Sequence, residues 1–304
     1  MVLAAAMLTR YDGWMLAFVI GCAAVALVGL VGALLWELYS DDPVVDLRML
    51  KDRNFALATF TMFMLGFVLY GSTVLLPLLL QTLLGYTALL SGLVLSPGSL
   101  LVLIALPIVG RLTQVIEARW LVAIGLAITG FSLLHMAHFN LQISFSTAVS
   151  AWAYSRLGMA FLFTPINVMA FYFIPKEKMN NATGIINLAR NIGGSVGIAN
   201  VATLLARRSQ VHQSVLVSHL TPLDPAYSAS LSGASHFLML QGSNPVQALN
   251  QAHGMIYGDL VRQATMLAYT DTFWLLGLTF LAMIPFMFLM KKIQLRAAPT
   301  APVH

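Results

Sequence analysis

Two arginines stand inside apolar stretches long enough to cross a lipid bilayer: Arg156 within 146–173 and Arg190 within 182–205. A guanidinium near the centre of a membrane helix costs at least about 2.5–3.5 kcal/mol on insertion scales, so it is sheltered by a bundle interior or a watery cavity. A chain that keeps two such charges has to pack its helices against one another instead of leaving them isolated in lipid. The same two charges are the first candidates for a transport pathway.

The rest of the sequence points to the same solvent. Hydrophobic residues make up 59% of the chain and charged residues 9%, against about 25% charged in soluble domains. In a soluble protein the net charge of +5 would suggest a nucleic-acid partner. Here the charges fall in short segments between apolar runs, which is the pattern of membrane topology, and no nucleic acid is expected. The single cysteine, Cys22, excludes a disulfide framework and a cysteine metal site. The first apolar run is too long for the core of a cleavable signal peptide.

A crossing needs about 20 mostly apolar residues. Seven stretches qualify: 14–38, 55–80, 87–109, 120–137, 146–173, 182–205 and 272–290. The expected fold is therefore an all-α membrane protein of about seven transmembrane helices. Alternate connections carry Arg48, Lys51 and Arg53; Arg111 and Arg119; Lys176 and Lys178; and a tail with Lys291, Lys292 and Arg296. That excess places their side, and the C-terminus, in the cytoplasm. The segment 207–270 is polar, with His212, His219, His236 and His253 too scattered for a metal site. From Pro245 its apolar residues recur at near-helical spacing, giving an amphipathic helix that runs into the last span. Asp271 is read as the start of that span, where Asp caps well. The expected division is 1–45, an extra transmembrane helix and linker; 46–206, helices of a C-terminal bundle; 207–270, an extracytoplasmic loop with the amphipathic helix; and 271–304, the last helix and tail.

Two motifs hold the candidate functional residues. In the first, Arg156 is followed by Gly158, which lets another helix approach, and by Pro165, which frees a carbonyl and bends the helix. Asn167 adds a polar group in the apolar region. In the second, Asn187 and Arg190 precede Gly193, Gly194 and Gly197. Gly193 and Gly197 share a helix face suited to tight packing. Arg190 lies near the cytoplasmic end, where it snorkels or meets a carboxylate. All eleven acidic residues lie in loops or at span ends, so no mid-membrane carboxylate offers a proton relay. No nucleotide-binding, nucleophile-elbow or zinc-protease pattern is present. No enzyme activity, cofactor or metal is expected.

Taken in order, these segments resemble the major facilitator superfamily, and within it the fourteen-span drug:proton antiporters. The resemblance is carried by Asp46-Leu47-Arg48, Arg53-Asn54-Phe55-Ala56, Leu76-Pro77, Gln81, Gly85-Tyr86-Thr87-Ala88, Gly92, Pro97, Pro107, Gly110-Arg111-Leu112, and the motifs at 156–165 and 187–197. It implies the C-terminal six-helix bundle of such a permease with one preceding helix, the N-terminal half being missing. It further implies multidrug efflux by alternating access in a bacterial inner membrane, with small lipophilic substrates exchanged for protons. Arg111 is then a gating candidate that contacts Glu117 or a helix end. Arg156 would tune the proton affinity of a carboxylate in the missing half. A periplasmic adaptor protein docking on the outer loop is a further implied partner. The alternative is a non-transporting membrane scaffold, or the inactive product of a truncated gene.

Overall fold

The computed structural model describes residues 47–289 except 173 and 222, together with a discontinuous set between 18 and 36. The described members of that set are helical. The remainder of the expected span 14–38 lies outside the described residues, as do Lys291, Lys292 and Arg296 of the tail. From Leu47 onward the described chain consists of helices joined by short connections, without strands.

Seven α-helices form in this region, most with a side-chain cap at the start. A 3-10 turn, Leu47–Lys51, leads into α1, Arg53–Thr82. Asp52 caps α1 by accepting from the Phe55 amide at 2.9 Å. Gly85, at φ +69°, supplies the left-handed turn to α2, Ala88–Val115, which Thr87 caps. Then follow α3, Ala118–Met136, and α4, Phe145–Phe171, the latter capped by Ser144. A second 3-10 turn, Lys176–Lys178, opens α5, Met179–Ser218. Proline at the first helical position and an Asp or Asn cap start both α6, Pro225–Leu240, and α7, Pro245–Phe288.

The packing places α1 at the hub. It runs along α5 and also touches α4, α7 and α2. α4 lies against α2 and α3, α7 against α3 and α5, and α6 against α7. Phe55, Leu65, Leu75, Leu79, Leu126, Phe273 and Phe280 fill the centre. Leu100, Leu103 and Ile104 of α2 remain exposed on the bundle's perimeter.

Close approach depends on glycine at three seams. Between α1 and α5, a Cβ on Gly193 or Gly197 would run into the carbonyl of Phe63 or Phe67, and one on Gly66 into the carbonyl of Arg190. Gly158 meets Thr129 and Gly125 between α4 and α3, and Gly130 faces Gly277 between α3 and α7. Backbones this near one another gain dispersion and Cα–H···O contacts, which drive association where lipid offers no hydrophobic gain.

Four helices, α1, α2, α3 and α7, are long and apolar enough to cross a membrane. The stretches expected to cross as α4 and α5 are not among them. Arg156 and Asn167 dilute the first, and Asn187, Arg190 and Asn191 the second. Packing of α4 against α1, α2 and α3, and of α5 against α1 and α7, keeps these two helices in the bundle.

Two boundaries differ from the sequence reading. α5 does not stop at Leu205; it runs to Ser218, because 206–218 contains neither Gly nor Pro and only its hydropathy falls. Asp271 starts no helix: α7 passes through it unbroken from Pro245. With 40 and 44 residues, α5 and α7 are about 60 and 66 Å long at 1.5 Å per residue, twice a hydrocarbon core of about 30 Å. The expected loop is thus a helical projection made of the ends of α5 and α7 with α6 beside α7.

Candidate functional site

The α1–α5 seam positions a polar strip on one side of the bundle. Tyr70 of α1 packs on Gly194 of α5. With Asn191, Ser195 and Ile198 they line a cavity of about 300 Å³. One turn further along α1, Thr73 is exposed on the bundle surface. It accepts a 2.6 Å hydrogen bond from Arg156 Nη2, which reaches across from α4.

Arg156 is held from below. Its guanidinium carbon lies 3.9 Å from the ring centroid of Trp152, one turn earlier on α4. Trp152 is 2% exposed, so the ring is a fixed floor. Gly98 of α2 makes room for the pair: a Cβ there would sit 2.9 Å from both Arg156 Cγ and Trp152 Cδ1. Three helices therefore shape this one side chain. Among the described residues no carboxylate lies within ion-pair distance of it.

Arg190 is placed differently. Its Nη2 donates to Asn187 Oδ1 at 3.0 Å, within α5. Its Nε is buried without a hydrogen-bond partner. The carboxylate expected for it is absent among the described residues, and an amide takes that place. Asn187 is thus engaged by Arg190 while remaining exposed.

Asn167 turns back on its own helix, its Nδ2 donating to the Phe163 carbonyl at 2.8 Å. Pro165 is buried in α4. Arg111 is exposed near the end of α2. Glu117 pairs with Arg119, Nε to Oε2, at 2.6 Å. The structure thus brings Arg156 into a cross-helix site, keeps Arg190 and Asn187 together on α5, and leaves Asn167 and Arg111 apart from both.

A second charged cluster joins α5 to α7. Asp271 Oδ2 is 2.8 Å from His212 Nε2 and 3.7 Å from Arg208 Nε. Nearby, Ser209 and Thr265 hydroxyls lie 3.2 Å apart, and Gln213 Nε2 donates to the Tyr257 hydroxyl at 2.6 Å. Arg262 Nη2 donates to the Leu83 carbonyl, satisfying the end of α1. Sequence reasoning missed this cluster because it ended α5 short of Arg208 and made Asp271 a cap. It also missed Thr73, Gly98 and Trp152. Of these only Trp152, one helical turn from Arg156, left a readable signal.

Comparison with known proteins agrees with this architecture. Over 267 residues the chain is 31% identical to the "Fatty acid resistance protein FarB" of Neisseria gonorrhoeae, an alignment that covers 88% of the chain and 51% of that protein. Over 272 residues it is 29% identical to the "Multidrug export protein EmrB" of Escherichia coli (strain K12), covering 86% and 51%. It is 34% identical over 170 residues to the "Multidrug resistance protein Stp" of Mycobacterium tuberculosis, covering 56% and 32%. The chain spans about half the length of FarB and EmrB. Residues 1–198 match the model of the Major Facilitator Superfamily. Packed helices, sheltered arginines and this match agree: the chain is a membrane protein belonging to the Major Facilitator Superfamily.

Proposed function

We propose that this chain forms one wall of a proton-coupled multidrug exporter that works by alternating access. The observation that carries the reading is the polar strip of Tyr70, Thr73, Arg156, Asn191 and Ser195 on an otherwise apolar bundle. A membrane helix turns such groups toward protein or water, not lipid. In transporters of this kind the substrate site lies between two bundles near the midplane, so the strip faces a companion six-helix bundle across a water-filled cavity. Small lipophilic substrates bind there, which is consistent with relatives named for multidrug export. The basic loops and the C-terminus lie in the cytoplasm of a bacterial cell, and the chain sits in its inner membrane. Asn187, Arg190 and Arg111 belong to the cytoplasmic mouth. The projection of α5, α6 and α7 reaches the other side, where a periplasmic adaptor docks.

The test uses everted membrane vesicles in a medium that holds a fluorescent lipophilic drug. Energised vesicles holding this chain with a companion N-terminal bundle are expected to accumulate the drug, and a protonophore is expected to abolish the uptake. The chain expressed alone is expected to give little transport. Uptake that persists without a proton gradient, or full transport by the chain alone, contradicts the proposal. A scaffold or inactive chain would transport nothing in either setting.

A further inference from the structure

We propose that Arg156, Trp152 and Thr73 form an anion subsite that takes the carboxylate of an amphipathic substrate. This rests on the reading of the polar strip as the transport wall. The Arg156 guanidinium sets the chemistry of the site. It has five N–H donors. One donates to Thr73 Oγ1, and no carboxylate of the described chain neutralises the charge. A cation at the surface of a membrane bundle, whose partners among the described residues are a hydroxyl and a ring, is short of one negative charge.

The stacking fixes how that charge arrives. The Trp152 ring lies 3.9 Å from the guanidinium carbon and closes that side, and Gly98 prevents the pair from being pushed aside. The edge of the guanidinium stays open, because Thr73 is exposed and Arg156 partly so. An open edge offers parallel donors whose spacing matches the two oxygens of a carboxylate. A single arginine balances a single negative charge, so a monoanion fits. The apolar surface flanking the strip accepts the tail, here Ile198 of α5 beside Tyr70. The same positive charge disfavours lipophilic cations at this position.

A carboxylate has two possible sources: the substrate, or an acidic side chain of the companion bundle. Binding to this chain, purified whole in lipid nanodiscs, separates them. The probe is 11-(dansylamino)undecanoate, compared with its neutral primary amide, read by energy transfer from tryptophan and by the probe's own emission. The unaltered chain is expected to bind the carboxylate at least about tenfold more tightly than the amide, the scale of a charge-assisted pair. Arg156→Gln is expected to erase that preference while leaving the amide's affinity in place. Arg156→Lys keeps the charge but loses the fork, so an intermediate preference is expected. Thr73→Val and Gly98→Ala, which leave the charge alone, are expected to lower the preference by severalfold.

Equal binding of both probes, or a preference unchanged in Arg156→Gln, overturns the subsite while leaving the transport wall intact. Arg156→Gln that instead abolishes co-purification with a companion bundle, at unchanged probe preference, assigns the partner to a side chain and also overturns it. Saturable binding of neither probe contradicts the transport wall itself. Thermal stability of each variant in nanodiscs shows whether it folds, and the lysine variant keeps the test open should the glutamine variant not.

Discussion

The Arg156 guanidinium carbon lies over the Trp152 ring, 3.9 Å from its centroid, one turn apart on α4. The ring faces the bundle interior and the cation its surface. Arg156 therefore stays at the depth its helix gives it and does not stretch toward water. Replacing Trp152 with Leu removes the floor but keeps an apolar plug. The expected result is a stability loss of about 1–3 kcal/mol from the combined cation–π and packing terms, read as a lower unfolding midpoint in detergent. An unchanged midpoint would show that the stack does not hold the side chain.

The α1–α5 seam predicts a sharp division among glycines. Gly197→Val would drive a branched side chain into the Phe67 carbonyl, and backbone cannot rotate away. Overpacking usually costs about 1–3 kcal/mol, and this seam is expected to lie at or above the top of that range. Gly92→Ala and Gly184→Ala have open space around the new Cβ and are expected to fold normally. Fluorescence-detected size exclusion after graded heating checks both. A stable Gly197→Val protein would mean that the two helices are not in backbone contact.

Arg190 is expected to behave unlike Arg156 when made apolar. Its Nε is buried and unpartnered, and its other contact is an exposed amide on the same helix. Replacing an unsatisfied donor with an apolar group of similar length is close to neutral or stabilising. Arg190→Met should therefore keep or raise the unfolding midpoint, while any transport loss reports a functional role. A drop of several kcal/mol would reveal a structural partner for this charge.

The Asp271 cluster calls for a double-mutant cycle. Asp271→Asn leaves His212 and Arg208 facing a neutral amide. Because these side chains are 24–52% exposed, each single change is expected to cost about 1 kcal/mol or less. Asp271→Asn and His212→Ala together should cost less than the sum of the two, by about 0.5 kcal/mol or more. Strict additivity would show that the pair, 2.8 Å apart, contributes no coupling between α5 and α7.

The contrast between these sites shows what the sequence could carry. The start of α7 was legible at Pro245, where its apolar periodicity begins, whereas the helix that Asp224 caps from Pro225 was not read as one. The apolar runs of α1, α2 and α3 were legible because length and hydropathy together define a span. The end of α5 was not, and Asp271 was read as a helix start although α7 passes through it unbroken. Hydropathy reports where lipid stops, whereas a helix continues until a Gly, a Pro or a cap stops it. The arginines were visible as charges in apolar surroundings. That Arg156 meets Thr73 and Arg190 only Asn187 depends on how α1, α4 and α5 pack, which no local pattern encodes.

The central claim is that one side of the bundle, marked by Thr73, Arg156 and Ser195, faces water while the α2 perimeter faces lipid. Cysteine accessibility tests it most directly. With Cys22 replaced by Ser, single cysteines at Thr73, Ser195, Leu103 and Ile104 are treated in native membranes with a small charged maleimide, which reacts only where water reaches the thiol. The account predicts rapid labelling at Thr73 and Ser195 and almost none at Leu103 and Ile104. Labelling of the α2 positions as fast as the strip, or a strip as unreactive as α2, would contradict it.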